Sequence, residues 1–185
     1  MNGTARSLCF SPDSRYLVGS GGDADVYMWD LRASQDASAI VRKFANEGGL
    51  PTCALATDGT HLACASEAGV VNLYDLGLGG FPGPPTTITS QPKPWKALLN
   101  LTTPVETLTF SHDGSMLAMA SRWAKNAARV VHVKSGTVFS NWPTSKSPLN
   151  YVFRYGSVNL FSHFLEVIVL AFMPWIACSF VRPQV

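Results

Sequence analysis

Short apolar runs, broken by turns centred on Asp and Gly, recur three times along this chain. The first pass reads Leu8-Cys9-Phe10-Ser11-Pro12-Asp13, then Tyr16-Leu17-Val18, then Asp25-Val26-Tyr27-Met28-Trp29-Asp30. The second reads Ala54-Leu55-Ala56-Thr57-Asp58-Gly59, then Leu62-Ala63-Cys64-Ala65-Ser66, then Val70-Val71-Asn72-Leu73-Tyr74-Asp75. The third reads Leu108-Thr109-Phe110-Ser111-His112-Asp113-Gly114, then Leu117-Ala118-Met119-Ala120-Ser121, then Val130-Val131-His132-Val133. Val26, Met28 and Asp30 alternate with Tyr27 and Trp29, the period of two that gives a strand two unlike faces. Asp58-Gly59 and Asp113-Gly114 lie between apolar runs, a strong short-range hairpin signal. In the first pass Pro12 presets φ and Asp13 bonds its own backbone two residues on. Small residues at Ala63, Ala65 and Ser66 suit the narrow gap between sheets packed face to face. Ile40 to Phe44 and Val138 to Pro143 complete the outer strands.

The pattern predicts three units, at about residues 6–44, 50–76 and 95–143, each a four-stranded antiparallel sheet. Between the second and third, Gly77 to Pro94 carries too much Gly and Pro for a helix or a central strand and reads as a long loop. Arg122 to Arg129 replaces a tight turn with a basic excursion, read as a projecting hairpin loop. A period of roughly 40 to 45 residues with four strands per unit resembles a WD-repeat propeller blade. The expected fold class is therefore all-β: a partial propeller of about three blades over residues 1–148, not closed. Asp13, Trp29, Asp30, Asp58, Tyr74, Asp75 and Asp113 are its expected structural residues. With 185 residues the chain is too short for an ordinary ring, since roughly seven blades need nearly 300 residues. Terminal repeats without caps leave faces open, so marginal stability in isolation is the expectation.

After Pro148 the repeat grammar stops. Residues 149–185 are expected to form an apolar, non-propeller tail that includes Phe164-Leu165-Glu166-Val167-Ile168-Val169-Leu170-Ala171-Phe172. Leu160 to Val181 roughly reaches the 20 apolar residues a membrane helix needs, but His163, Glu166 and Pro174 interrupt it. A membrane anchor, a substitute blade edge and unrelated sequence joined by read-through or a divergent exon are three accounts of this tail. The abrupt change of text favours the last, with the chain a fragment, and argues against a membrane partner.

Composition narrows the chemistry. Fourteen basic and twelve acidic residues leave a net charge of +2, with no Lys or Arg run of the kind that marks non-specific nucleic-acid binding. Cys9, Cys53, Cys64 and Cys178 have no C-x-x-C spacing and no His placed as a zinc-ligand partner, so they read as reduced thiols, not zinc ligands. The stretch Gly19-Ser20-Gly21-Gly22-Asp23-Ala24 fits a dinucleotide fingerprint, which would make a small NAD-binding oxidoreductase the alternative function. That chemistry needs a following helix N-terminus, and the alternating segment that follows reads as strand. The four His residues form no grouping with a nucleophile and an acid. No catalytic site, metal or cofactor is assigned, and no small-molecule substrate is expected. Asp13, Asp58, Asp113 and His112 fit a structural hydrogen-bond relay better than a catalytic one.

Several phrases go beyond generic repeat text. Phe44-Ala45-Asn46-Glu47-Gly48, Cys64-Ala65-Ser66-Glu67-Ala68-Gly69-Val70-Val71-Asn72-Leu73-Tyr74, Pro92-Lys93-Pro94-Trp95-Lys96-Ala97-Leu98-Leu99-Asn100-Leu101 and Thr137-Val138-Phe139-Ser140-Asn141-Trp142-Pro143 resemble the C-terminal propeller of the U3 small nucleolar RNA-associated protein 18 family. The resemblance covers about Asn2 to Pro148. It implies a non-enzymatic scaffold of the nucleolar small-subunit processome, acting in pre-rRNA processing and 18S rRNA maturation within the nucleus. Protein subunits of that assembly are the implied partners, with indirect or loop-level contact to U3 small nucleolar RNA and pre-rRNA. A propeller module of some other complex is the generic alternative. Loops on a rigid scaffold carry function disproportionately, and Arg and aromatic residues are favoured anchors. Lys93, Trp95 and Lys96, with Arg122, Trp123, Lys125 and Arg129, are the candidate interaction surface.

Overall fold

The computed structural model describes residues 4–32, 40–76, 91–142, 149 and 151–152. Twelve strands form three four-stranded sheets among these residues. The first sheet holds β1 (Ser7–Phe10), β2 (Tyr16–Ser20), β3 (Asp25–Asp30) and β4 (Ile40–Ala45). The second holds β5 (Thr52–Thr57), β6 (His61–Ser66), β7 (Val71–Asp75) and β8 (Lys96–Leu98). The third holds β9 (Thr107–Phe110), β10 (Met116–Ala120), β11 (Ala128–His132) and β12 (Thr137–Val138). Each is an antiparallel meander in chain order, and β1, β5 and β9 lie side by side as the inner strands. The three sheets are successive blades of an open propeller.

Burial explains why the repeat is written as it is. Val18, Val26, Met28 and Phe44 of the first sheet pack against Leu55, Leu62, Cys64 and Tyr74 of the second. The other face of the second sheet places Ala54, Ala63, Ala65, Val71 and Leu73 against Leu117, Met119 and Val131 of the third. Side chains alternate across a strand, so Leu62 and Ala63 serve different interfaces through cross-strand partners Tyr74 and Leu73. Leu101 and Val105, from the connection into the third sheet, fill the second interface. Leu62 and Leu73 are both fully buried, each gaining about 1.5–3 kcal/mol from leaving water.

Turn chemistry follows the Asp signals. Asp113 accepts from Ser111 Oγ at 2.6 Å, Ser115 Oγ at 2.9 Å and Ser115 N at 3.1 Å. Asp13 accepts from Ser11 Oγ and from Arg15 N. Asp58 accepts from Thr60 N at 2.8 Å and lies 2.9 Å from His61 Nδ1. The imidazole beside a turn aspartate is thus His61, whereas His112 is exposed.

Several expectations need correction or restriction. The Lys96–Leu98 strand, expected to open the third unit, pairs with Val71–Leu73 and is the outer strand of the second sheet. Of the outer strand expected over Val138 to Pro143, the described residues form strand only at Thr137–Val138, and Pro143 lies outside them. Leu149 and Val152 pack on Ala120 and Ala128, so the packed region passes the expected boundary at 148. The rest of the tail, and residues 77–90 of the Gly/Pro-rich loop, lie outside the described residues. The dinucleotide alternative falls with the fold: Gly19 to Ala24 joins two antiparallel strands, β2 and β3, with no helix after it. The requirement at Gly19 is packing, because a Cβ there would lie 2.7 Å from Leu8 and 2.8 Å from the Trp29 ring.

Candidate interaction surface

In an antiparallel meander, strand ends alternate between two rims. One rim collects the β1–β2, β5–β6 and β9–β10 turns, with the start of β8 and the Val133–Gly136 turn. The other collects the β2–β3, β6–β7 and β10–β11 turns and the connections leading into β5 and β9. The candidate residues therefore divide into two groups on opposite rims, and the fold does not bring them together.

Lys93, Trp95 and Lys96 belong to the first rim. Trp95 N donates to Leu73 O at 2.9 Å, which starts the β7–β8 pairing. The indole is 39% exposed, so it is neither a core residue nor a free platform. Its centroid lies 6.5 Å from that of His61. Trp95 and the Lys96 stem also cover Gly136, where a Cβ would come within 2.9 Å of Lys96 Cγ. Gly136 has φ of 60°, so the third sheet's turn is shaped to receive them. Lys93 is exposed just before them.

Arg122, Trp123 and Lys125 belong to the second rim, in the β10–β11 connection. Arg122 Nε is 2.6 Å from Glu106 Oε2, and its guanidinium stands 5.1 Å from the Trp123 ring centroid. Trp123 Nε1 donates to the other Glu106 oxygen at 3.2 Å. Lys125 Nζ stands 5.7 Å from the Tyr151 ring centroid. Arg129, expected in the loop, is in β11, and its guanidinium donates to the carbonyls of Asn126 and Ala128. Ala127 is buried and Ala124 packs on the core. The excursion is thus pinned down along its length, not freely projecting.

Glu106 is a residue that sequence reasoning missed. It precedes β9 by one residue and becomes the partner of Arg122 only once β9 and β10 pair. Arg6 and Glu67 form a second ion pair on the same rim. Arg6, Ser7, Cys53, Glu106, Thr107 and Arg122 bound an open hollow of about 560 Å³ at the starts of the inner strands. Its arginines are already paired with carboxylates.

The structural residues expected from the sequence sit as follows. Tyr74 is buried, meets Phe44 edge-on at 5.1 Å, and donates to Asn46 Oδ1 at 3.0 Å. Asn46 also accepts from Asn72 Nδ2 at 2.9 Å and donates to Thr52 Oγ1 at 3.1 Å. This buried network ties the β4–β5 connection to the second sheet. Burial pushes the Tyr74 hydroxyl up to about 12, so it stays a donor. Trp29 stacks on Tyr27 at 5.7 Å. Asp30 accepts from Arg15 Nη2 at 2.9 Å, and that bond lowers its pKa. The hydroxyls of Ser111 and Ser115 hold the Asp113 carboxyl down to about 2. Asp75 is exposed and faces His61 across the ladder. Burial raises the Cys9 thiol to about 12 and the Cys64 thiol well above its ordinary value, which keeps both unreactive. Among the described residues, no group of three His, Cys, Asp or Glu side chains is placed to hold a metal ion, and no helix is long and apolar enough to cross a membrane.

Known proteins are similar to this chain in sequence and in fold. The family described as WD domain, G-beta repeat matches residues 2–30. A U3 small nucleolar RNA-associated protein 18 homolog of Arabidopsis thaliana is 38% identical over 156 residues, covering 82% of this chain and 26% of that protein. The Homo sapiens homolog is 38% identical over 149 residues, covering 80% of this chain and 25% of its own length. The Saccharomyces cerevisiae protein is 35% identical over 153 residues, covering 74% of this chain and 24% of that protein. The chain thus spans about a quarter of the length of the curated relatives it matches. Among solved structures, the computationally designed Ika4 protein superposes with a TM-score of 0.60 at 13% identity, covering 84% of this chain and 81% of that one. A chain of the Mitotic Checkpoint Complex superposes at 0.55 and 17% identity, covering 76% and 39%. At such identities the structural likeness speaks for the fold alone.

Proposed function

This chain belongs to the WD-repeat family of U3 small nucleolar RNA-associated protein 18, and from that premise we propose that it is a non-enzymatic scaffold segment in ribosome biogenesis. The finer reading is a role in the nucleolar small-subunit processome, in pre-rRNA processing and 18S rRNA maturation. Sequence similarity that runs through all three sheets carries this reading, because a shared surface needs shared blades and not one matching repeat. Protein subunits are the favoured partners. The Arg6 and Arg122 guanidiniums are already engaged by Glu67 and Glu106, and a rim of paired charges suits protein contact better than phosphate, which needs uncompensated cations. Any contact with U3 small nucleolar RNA or pre-rRNA would then run through loops, with Lys93 and Lys125 as the cations to test.

The experiment is affinity purification of the tagged 185-residue chain from a nuclear extract, with U3 RNA measured by quantitative reverse transcription and proteins by mass spectrometry. Enrichment of U3 RNA together with processome subunits is expected. Recovery of another complex without U3 RNA would move the chain to a different assembly. Charge reversal at Arg122, Lys125 and Arg129 should reduce processome recovery if that rim is the contact. Unchanged recovery would remove it as the surface.

A further inference from the structure

Cations without a carboxylate gather where the second sheet meets the third. Arg6, Arg15, Lys43 and Arg122 each lie beside an acidic side chain. Lys93, Lys96 and Lys134 are exposed, and among the described residues none of them is in an ion pair. Gly136 brings their elements together, because a Cβ there would lie 2.9 Å from Lys96 Cγ and 3.2 Å from the Trp95 ring. Lys134 belongs to the same turn, which Gly136 N closes by donating to Val133 O at 3.1 Å. A second tie holds that turn, with His132 Nδ1 2.8 Å from Ser135 Oγ. Lys93 stands just before Trp95 in the chain, so lysines approach the indole from both sheets. Leu73, Leu98, Val131 and Val133 fill the junction beneath, which mounts the cations on packed strands.

Exposed ammonium groups around a half-exposed indole suit an anionic ligand, and either RNA or an acidic peptide would supply one. The neighbouring charges decide between them. Asp58, Asp75 and Asp113 lie on the same rim, and Asp75 is exposed where it faces His61 across the ladder. The Asp113 turn abuts the lysine-bearing turn, since Val133 N donates to Ser115 O at 2.9 Å. An RNA strand carries a charge at every phosphate and would lay some of them beside these carboxylates. A peptide places its carboxylates singly, with neutral residues between. Base stacking also needs an open ring face. The tip of the Trp95 ring rests on Gly136, and His61 stands 6.5 Å from its centroid. What remains exposed is an edge that suits an apolar side chain, and Trp is a favoured interface anchor.

We propose that Lys93, Trp95, Lys96 and Lys134 form a docking site for an acidic segment of a partner protein. Its carboxylates pair with the lysines, and one apolar or aromatic side chain lies along the exposed edge of Trp95. The proposal rests on reading the chain as a protein-binding scaffold, and it gives that scaffold a contact on the rim opposite Arg122. Exposed charge pairs are screened by salt, so the lysine contribution falls as ionic strength rises, whereas the contact with Trp95 persists.

Fluorescence anisotropy of the 185-residue chain tests this with two labelled probes of equal charge. One is a peptide of alternating Glu and Gly around a central Tyr, and the other is oligouridine RNA. The peptide should bind more tightly than oligouridine. Lys134→Glu lies in an exposed turn, and Lys96→Gln keeps much of the stem that covers Gly136. Together they should weaken peptide binding by about tenfold, judged on protein whose β-type circular dichroism matches the parent. Arg42→Glu, a charge reversal on β4 of the first sheet, should leave peptide binding unchanged. Oligouridine binding as tight as the peptide's, or no peptide binding up to about 1 mM, overturns the proposal. So does a peptide affinity that ignores the lysine substitutions or falls equally with Arg42→Glu. Recovery of U3 RNA with processome subunits is a separate readout, so the assembly reading stands or falls independently of this site.

Discussion

The first and second sheets share one repeat grammar and differ in what covers them. Leu55, Leu62, Cys64 and Tyr74 on one face of the second sheet lie against the first sheet, and Ala63, Ala65 and Leu73 on the other lie against the third. Among the described residues the first sheet meets another sheet on one side only, and Phe10 stays 63% exposed at the position where the third sheet tucks Phe110 inward. Position in the stack, not residue type, decides which apolar side chains stabilise the fold. Repeat architectures behave this way because each unit's stability is its own plus that of its neighbouring interfaces.

That contrast breaks most sharply at Leu62. Truncation of this fully buried residue, Leu62→Ala, should cost about 2–5 kcal/mol, enough to abolish a cooperative urea transition in a marginal fold. A transition midpoint within error of the parent would mean that the first and second sheets do not pack as described. Next comes the buried polar network. Asn46→Ala removes the acceptor for Asn72 and Tyr74 and should cost about 1–3 kcal/mol, the range for stranding buried donors. Asn46→Asp, which keeps acceptor oxygens, separates lost bonds from lost shape in the same denaturation assay.

Much of this was legible in the sequence, and what was not has a physical cause. The Asp113-Gly114 turn and the alternation of Val26 to Asp30 are local signals, and they locate hairpins correctly. The ownership of Lys96–Leu98 is not local, because its partner Val71–Leu73 lies across the Gly/Pro-rich stretch. The candidate surface shows the same divide. That Arg122 and Trp95 lie near turns could be read from the chain, but their opposite rims follow only from which strands pair. Glu106 gave no signal, as a single carboxylate ahead of an apolar run has no meaning until β10 returns beside it. The exposure of Leu8 and Phe10 was equally hidden, since an apolar strand does not say whether its outer face has a neighbour.

A smaller effect is expected from acid. The folded-state pKa of Asp113 is depressed to about 2 by the serine hydroxyls. Its contribution is therefore fully present above the ordinary carboxylate range and is lost as pH falls toward 2. Asp113→Asn should lower the melting temperature at neutral pH and flatten its decline between about pH 5 and 2. An unchanged acid limb would show that the turn does not hold the carboxylate. Smallest of all, Phe10→Ser should change monomer stability by no more than about 0.5 kcal/mol, as exposed sites usually do. A loss comparable to that of Leu62→Ala would mean that Phe10 is buried and the two sheets are equivalent.

Hydrogen exchange of the Phe10→Glu chain, which keeps the first sheet's outer face in water, tests the stacked-sheet account most directly. Amides of Leu62 to Ser66 and Val71 to Tyr74 should exchange slowest, those of Leu8 to Phe10 measurably faster, with Met116 to Ala120 between. Equal protection in the first and second sheets, or faster exchange in the second, would contradict the account.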